Sequence, residues 1–285
     1  MKCINCNDEI PNHMRYCAIC GHDAGFPNVR AALRPKEVDA LECRVEKVKD
    51  GVNSRKCNDI LKDFEDAVAK SSVIICARLG KISEFVSSDN SLYQNFYQAI
   101  GSEGQLPENN EWDSIREPVD SLLFPHYHKE IRFGSLSINR KGITGYGDCC
   151  MTLRDIAIKD RATVFEENTV LFIKKHRIVA GDPMPLGYRA SWQKRDLLAV
   201  AKLGEKITPE TSGDEFPKLL ASSNDKDGDF IEVHIYGPIQ RRAIEHLSYY
   251  NSAEKKQKVR KVDNILFKSI SRKLKEINVT TEIFQ

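Results

Sequence analysis

The chain has 285 residues, with 43 Lys and Arg against 41 Asp and Glu, a formal net charge of +2, and 41% hydrophobic residues. That balance is typical of a globular protein and excludes collagen-like, low-complexity and polyelectrolyte chains. The opening MKCINCNDEIPN lacks the apolar core of a signal peptide, and no run approaches the roughly 20 apolar residues that cross a bilayer, so a cytoplasmic location is expected.

The first motif is C-x₂-C-x₁₀-C-x₂-C, formed by Cys3, Cys6, Cys17 and Cys20. Two short turns that each supply a pair of thiolates suit one Zn²⁺ held tetrahedrally, with Zn–S distances of about 2.3 Å. Four thiolates leave no open coordination position, so the expected role is structural and not Lewis-acid chemistry. The stretch MKCINCNDEIPNHMRYCAICG, ending with Gly21 directly after the last ligand, resembles the zinc-ribbon family. The other five cysteines, Cys43, Cys57, Cys76, Cys149 and Cys150, show no paired spacing and are expected to be unpaired thiols.

Residues 22–34 read as a linker after a ribbon over 1–24. Apolar residues then recur at helical spacing from Pro35 through Val38, Leu41, Val45 and Val48, and again through Ile60, Leu61, Phe64 and Val68. The second helix is expected to continue into SSVIICARLGKISEF, giving a helical pair over 35–87 within a helical region over 35–122. A third short helix is expected around Leu92–Ile100. From residue 123 onward the pattern changes to that of an α+β domain. HKEIRFGSLSI, GDCCMTLRDIAI, NTVLFIKKHRIV and DFIEVHIYGPI read as strands, Trp192–Leu203 as a helix, and 240–248 and 253–276 as closing helices. Positions 254 to 275 carry nine Lys or Arg against two acids, an excess that can attract phosphate backbones.

In DFIEVHIYGPI, strand alternation places Glu232, His234 and Tyr236 on one face and Val233 and Ile235 on the other. Three pieces occur in order: Tyr146-Gly147-Asp148, the run Lys159 to Val164, and Glu232 to Pro238. Together they resemble bacterial ADP-ribosyltransferases of the toxin and phage-associated kind. The resemblance implies a split β-sheet that cradles NAD as substrate, an Arg on the first strand that binds the pyrophosphate, and a late-strand Glu at the nicotinamide ribose. Carried over to this chain, Glu232 becomes the catalytic acid and Arg132 the phosphate ligand. Tyr146 would stack on nicotinamide, and Arg161 and Thr163 would shape the pocket floor.

Phe230 stands where many of these enzymes carry Glu or Gln two residues before the catalytic Glu, which argues against the arginine-directed subclass. No Ser-Thr-Ser is visible on a middle strand, and Ser191 is the nearest substitute. The expected cofactors are NAD as substrate and structural Zn²⁺. The expected partners are a macromolecular acceptor, RNA or DNA met through the ribbon and residues 255–275, and an antitoxin or regulatory protein. The alternative is a non-enzymatic zinc-ribbon protein that binds nucleic acid or a partner chain.

Overall fold

The computed structural model describes residues 1–101, 111–225, 228–252 and 256–284. Lys255 and most of the polar loop expected after Ile100 lie outside the described residues.

The ribbon consists of two short knuckles, each closed by one antiparallel bridge, Lys2 to Glu9 and Tyr16 to Asp23. In the first, Asn7 N–H donates to the Cys3 carbonyl, and in the second Gly21 N–H donates to the Cys17 carbonyl. Asn7 and Gly21 both have positive φ, 62° and 71°, a backbone region open mainly to Asn and Gly. Residues 22–34, expected to be a linker, instead contain α1 (Pro27–Ala32). Asn28 of this helix is buried and donates to the carbonyls of Arg161 and His234, so the segment is fastened to the sheet.

Helices α2 (Pro35–Ser54) and α3 (Asn58–Ala69) form as the apolar spacing predicts. Leu41, Val45, Val48 and Val52 make the buried stripe of α2, and Leu61, Phe64 and Val68 that of α3. The segment that follows is not a continuation of α3. SVIICA is strand β1 (Ser72–Ala77), and only then does α4 (Leu79–Phe85) begin. A short apolar run buried on both faces carries no periodicity that separates strand from helix, and here the β-branched residues decide for strand. Residues 35–122 are therefore not a helical region apart from the sheet, since β1 lies at the sheet's centre.

Beyond α4 come α5 (Phe96–Gly101) and α6 (Glu111–Leu123), then β2 (Ile131–Ser137), β3 (Cys149–Leu153), the single turn α7 (Asp155–Ile158) and β4 (Ala162–Phe165). NTVLFIKKH, expected to be a strand, is helix α8 (Thr169–His176), because the Asn168 side chain accepts from the N–H groups of Val170 and Leu171 and caps it. After it come β5 (Arg189–Ser191), α9 (Arg195–Leu203), α10 (Phe216–Leu220) and β6 (Glu232–Tyr236). Residues 240–248, expected to close as a helix, supply most of β7 (Ile244–Tyr250), whose Ile244, Leu247 and Tyr249 are buried. The chain continues through α11 (Gln257–Lys275) and β8 (Thr280–Phe284).

Among the described residues the strands make one eight-stranded sheet in the order β5-β4-β6-β2-β1-β3-β7-β8, mixed because only β7 and β8 pair in parallel. The fold is a mixed α/β arrangement with a four-cysteine cluster near its N-terminus. Among the described residues no helix is long and apolar enough to cross a membrane.

Two details at the sheet's centre position the site. β1 and β2 pair over only three residues, Ser72 to Ile74 against Ser137 to Ser135. Beyond that point β1 stays with β3 and β2 stays with β6, so the sheet opens between Ile75–Ala77 and Ile131–Gly134. Gly134 stands at the fork, where a Cβ would come within 2.8 Å of the Ile74 carbonyl. The second detail corrects the expectation of unpaired thiols. Cys76 and Cys150 face each other across β1 and β3 and form a disulfide, whereas Cys149 points to the opposite, buried face.

Candidate active site

The fork opens into a cavity of about 620 Å³. Ile74 to Ala77 of β1 and Arg132 to Ser135 of β2 form opposite walls, and Glu232 of β6, Tyr146 and the start of α8 contribute to the lining. Of the residues singled out in the sequence, Arg132, Tyr146 and Glu232 thus reach one cavity, and Arg161 and Thr163 do not.

Glu232 is 6% exposed on the inner strand β6, its carboxylate covered by Thr169 at the start of α8 and by His234. Its Oε2 accepts from the Thr169 N–H at 3.1 Å and the Thr169 hydroxyl at 2.6 Å, and lies 2.9 Å from His234 Nε2. All three contacts fall on one oxygen, so the carboxylate is fixed in direction while Oε1 makes no hydrogen bond among the described residues. The anchor depends on the cap of α8. Asn168 accepts from the second and third helical N–H groups and leaves that of Thr169 for Glu232. His234 is itself held edge-on between Phe124 and Phe133, at ring distances of 4.8 and 5.3 Å. Ser135 stands directly across from Glu232 in the β2–β6 ladder, on the same face and in the same lining.

The Tyr146-Gly147-Asp148 segment holds the rim. Gly147 lies so close to Ala77 that a Cβ would sit 2.1 Å from its carbonyl carbon, and Asp148 Oδ1 accepts from the Leu79 N–H at 3.1 Å. Arg78, between these two clamped residues at the end of β1, lines the cavity and is exposed to solvent. The Tyr146 hydroxyl accepts from Asn168 Nδ2 at 2.9 Å, which links the rim to the cap of α8 and so to Glu232.

Arg132 reaches the cavity from the other side of the fork. It faces Ile235 in the β2–β6 register and so lies on the sheet face opposite Glu232. Its side chain is 1% exposed, donates to the Glu130 carbonyl and to Gln98 Oε1, and keeps a buried Nε without a hydrogen-bond partner among the described residues. Arg161 donates to the carbonyls of Ala157, Tyr236 and Pro238, and fastens the end of β6. Thr163 is 2% exposed in β4, paired between His234 and Ser191, and is part of the frame. Ser191 lies on edge strand β5 and is not part of the lining.

Arg78, Lys81, Arg116 and Arg132 supply four cations to the lining, against Glu84, Asp120 and Glu232. Burial holds Lys81 below the ordinary lysine range, and the neighbouring Arg116 pushes the same way. Asp120 is 3% exposed and accepts from the Tyr97 hydroxyl at 2.6 Å. Burial pushes its carboxyl up to about 7, with Glu232 adding to the rise and Arg116 and Tyr97 opposing it.

A carboxyl raised in the folded state binds more protons there than in the unfolded chain. Its stabilising contribution is therefore complete below about pH 4 and is lost as pH climbs through 7. Between pH 4.5 and 8 the wild type should lose ~2–4 kcal/mol more stability than Asp120→Asn, read from urea unfolding at each pH. Equal pH slopes for the two proteins would remove this reading of Asp120.

The four ribbon thiols fit a metal. Their sulfurs all lie within 4.8 Å of one another, with Cys3 to Cys20 and Cys6 to Cys17 at 3.5 Å. A tetrahedral ZnS₄ centre, with Zn–S of about 2.3 Å, separates its sulfurs by a little under 4 Å. The ribbon is seated on the body through Arg30, which donates to the carbonyls of Asn12 and Met14, and through Arg15 over the Phe26 ring at 4.0 Å.

Sequence reasoning missed Arg78, Ser135, Thr169 and Asp120. The readable signal for Arg78 was a cation placed directly after the apolar run VIICA and before Leu-Gly, a strand end feeding a helix. Ser135 becomes visible only once β2 is paired with β6. The sequence matches no protein-family model, and no curated protein is found to be similar to it.

Proposed function

We propose that the protein is an NAD-dependent ADP-ribosyltransferase whose catalytic acid is Glu232. The observation that carries this reading is the convergence of Arg78, Tyr146, Ser135 and Glu232 on one cavity in a sheet that forks between β1 and β2. The resemblance puts a phosphate-binding Arg on the first strand. With β1 as the first strand of the sheet, Arg78 at its end fits that place, while Arg132, on the sheet face opposite Glu232, serves the opposite wall.

Cleavage of NAD breaks the bond between the ribose anomeric carbon and the nicotinamide nitrogen. The bonding pair leaves with nicotinamide, which becomes neutral, and positive charge develops on the ribose ring. A fixed carboxylate beside that carbon stabilises the charge where it forms. Glu232 has that character, with Oε2 anchored by Thr169 and His234 and Oε1 directed by the same anchor. The acceptor then bonds to the anomeric carbon and gives up a proton. Arg78, Lys81 and Arg116 offer charge to the pyrophosphate, and Tyr146 and Phe230, set edge to face at 6.3 Å, offer aromatic surface to the nicotinamide.

Incubating the protein with NAD and following nicotinamide by chromatography tests the reading. Arg78→Ala should raise KM for NAD about 10- to 100-fold, the value of one charge-assisted contact, and change kcat less. An unchanged KM would remove Arg78 from the phosphate role. Absence of nicotinamide release from the wild type with any acceptor would end the enzymatic reading.

A further inference from the structure

The mouth of the cavity and the most basic helix of the chain are neighbours. Arg78, Gly80 and Glu84 belong to the lining and are exposed to solvent, so the cavity opens at α4. The inner side of α4 buries Leu79, Ile82 and Phe85 in the same apolar cluster as Phe267, Ile270 and Leu274 of α11. α11 therefore backs onto the helix that forms the rim.

The two faces of α11 differ sharply. Phe267, Ile270 and Leu274 point inward, and Asp263 on the same side accepts from the Tyr249 hydroxyl at 2.9 Å. At 100° per residue the opposite face carries Lys258, Lys261, Lys268, Arg272 and Lys275 in a single stripe, and all five are exposed. None of the five makes an ion pair among the described residues. The stripe spans 17 residue steps, about 25 Å, over which one strand of B-DNA presents about seven phosphates at its 3.4 Å spacing. Val262 and Ile265 interrupt it, 59% and 71% exposed.

We infer that this face of α11 docks the phosphodiester backbone of a nucleic acid and leads it over α4 to the cavity mouth, so that the acceptor is a nucleic acid. Five unpaired cations in a row suit a polyanion, whose condensed counterions are released on contact. A lipid surface fits less well. An interfacial helix buries a broad apolar face in the headgroup boundary, and the broad apolar face of α11 is already spent on the core, leaving Val259, Val262 and Ile265 as its exposed branched residues, scattered among the cations. Val262 and Ile265, beside the cations, are suited to contact with sugar or base rather than to insertion. The docking step stands on the stripe alone, and only the assignment of the acceptor rests on the ADP-ribosyl reading.

The test uses the full chain and fluorescent 20-nucleotide single-stranded DNA, single-stranded RNA of the same sequence, and the DNA duplex, followed by anisotropy between 50 and 200 mM salt. A variant with Lys258→Glu, Lys261→Glu, Lys268→Glu and Arg272→Glu is compared with the wild type and with the four matching Gln substitutions. Affinity should fall at least 30-fold in the Glu variant and less in the Gln variant. The slope of log affinity against log salt should shrink by about 3, since each lost phosphate contact removes 0.7–0.9. The Gln variant keeps the test valid if charge reversal unfolds the helix, and nicotinamide release without acceptor should be equal in all three.

Equal affinities, or wild-type binding to phosphatidylserine vesicles but to none of the oligonucleotides, would overturn the docking surface. Tight binding with no transfer of label from NAD to the bound oligonucleotide would overturn the acceptor assignment. Which of the three oligonucleotides takes the label identifies the source of the phosphodiester. Failure of nicotinamide release altogether would count against the ADP-ribosyl reading while leaving the binding result to stand or fall by itself.

Discussion

Glu232→Gln should lower the rate of nicotinamide release about 10³-fold while leaving NAD binding within a few-fold of wild type. The substitution keeps the shape of the side chain and an oxygen to accept from Thr169, and removes the negative charge. Loss of one preorganised electrostatic contact to a developing charge typically costs 10²–10³ in kcat, and the loss is larger when that contact carries the full opposite charge. An effect confined to kcat is what a group acting only in the transition state produces. The check is single-turnover kinetics beside the NAD dissociation constant from calorimetry. A variant that keeps full activity would show that Glu232 has only a structural role with Thr169 and His234. A variant that loses binding and folding together would point the same way, and a melting curve separates that case.

The second large effect concerns the metal. Removing one ligand with Cys17→Ser should abolish stoichiometric zinc and unfold residues 1–25, because the ribbon core consists of little more than Cys3, Ile10 and Cys17. Zinc contributes about 10–16 kcal/mol to the folding of comparable peptides, far more than so small an apolar cluster supplies. One zinc per chain is expected for the wild type and none for the variant, by elemental analysis, with trypsin cutting at Lys2 and Arg15 only in the variant. The body should remain folded and NAD turnover should stay within about threefold, because none of the ribbon residues lines the cavity. Collapse of the whole protein on zinc loss would show that the contacts of Arg30 and Arg15 with the ribbon support the body as well.

The parts of this molecule that could be read in advance are those whose chemistry is local. Cys3, Cys6, Cys17 and Cys20 are recognisable because ligand spacing within a tight turn is a property of a few consecutive residues. Glu232 and His234 were readable as sharing a face because alternation within a strand is equally local. The errors come from long-range pairing. VIICA is apolar on both faces because Val73, Ile75 and Ala77 enter the main apolar cluster while Ile74 and Cys76 lie beneath Gly142, and this removed the period that would have distinguished it from α3. Reading that run as helix hid Arg78 and left Arg132 as the first cation on a strand.

The same limit explains Cys76 and Cys150, which are 74 residues apart and meet only through the β1–β3 register. It explains Ser135, whose place opposite Glu232 is a matter of β2–β6 pairing. NTVLFIKKH was misread for a different reason. Its branched residues favour a strand, and the Asn168 cap together with burial of Val170, Phe172 and Ile173 against the sheet outweighed that preference.

In the proposed reaction NAD lies in the fork with its reacting carbon at Glu232. A crystal structure of Glu232→Gln briefly soaked with NAD tests this, because the variant binds NAD and turns it over about 10³-fold more slowly. The anomeric carbon of the nicotinamide ribose should lie within about 4 Å of the side chain at position 232, with the pyrophosphate on Arg78. NAD bound with its nicotinamide end away from β6, or a cavity that stays empty at saturating NAD, would contradict it.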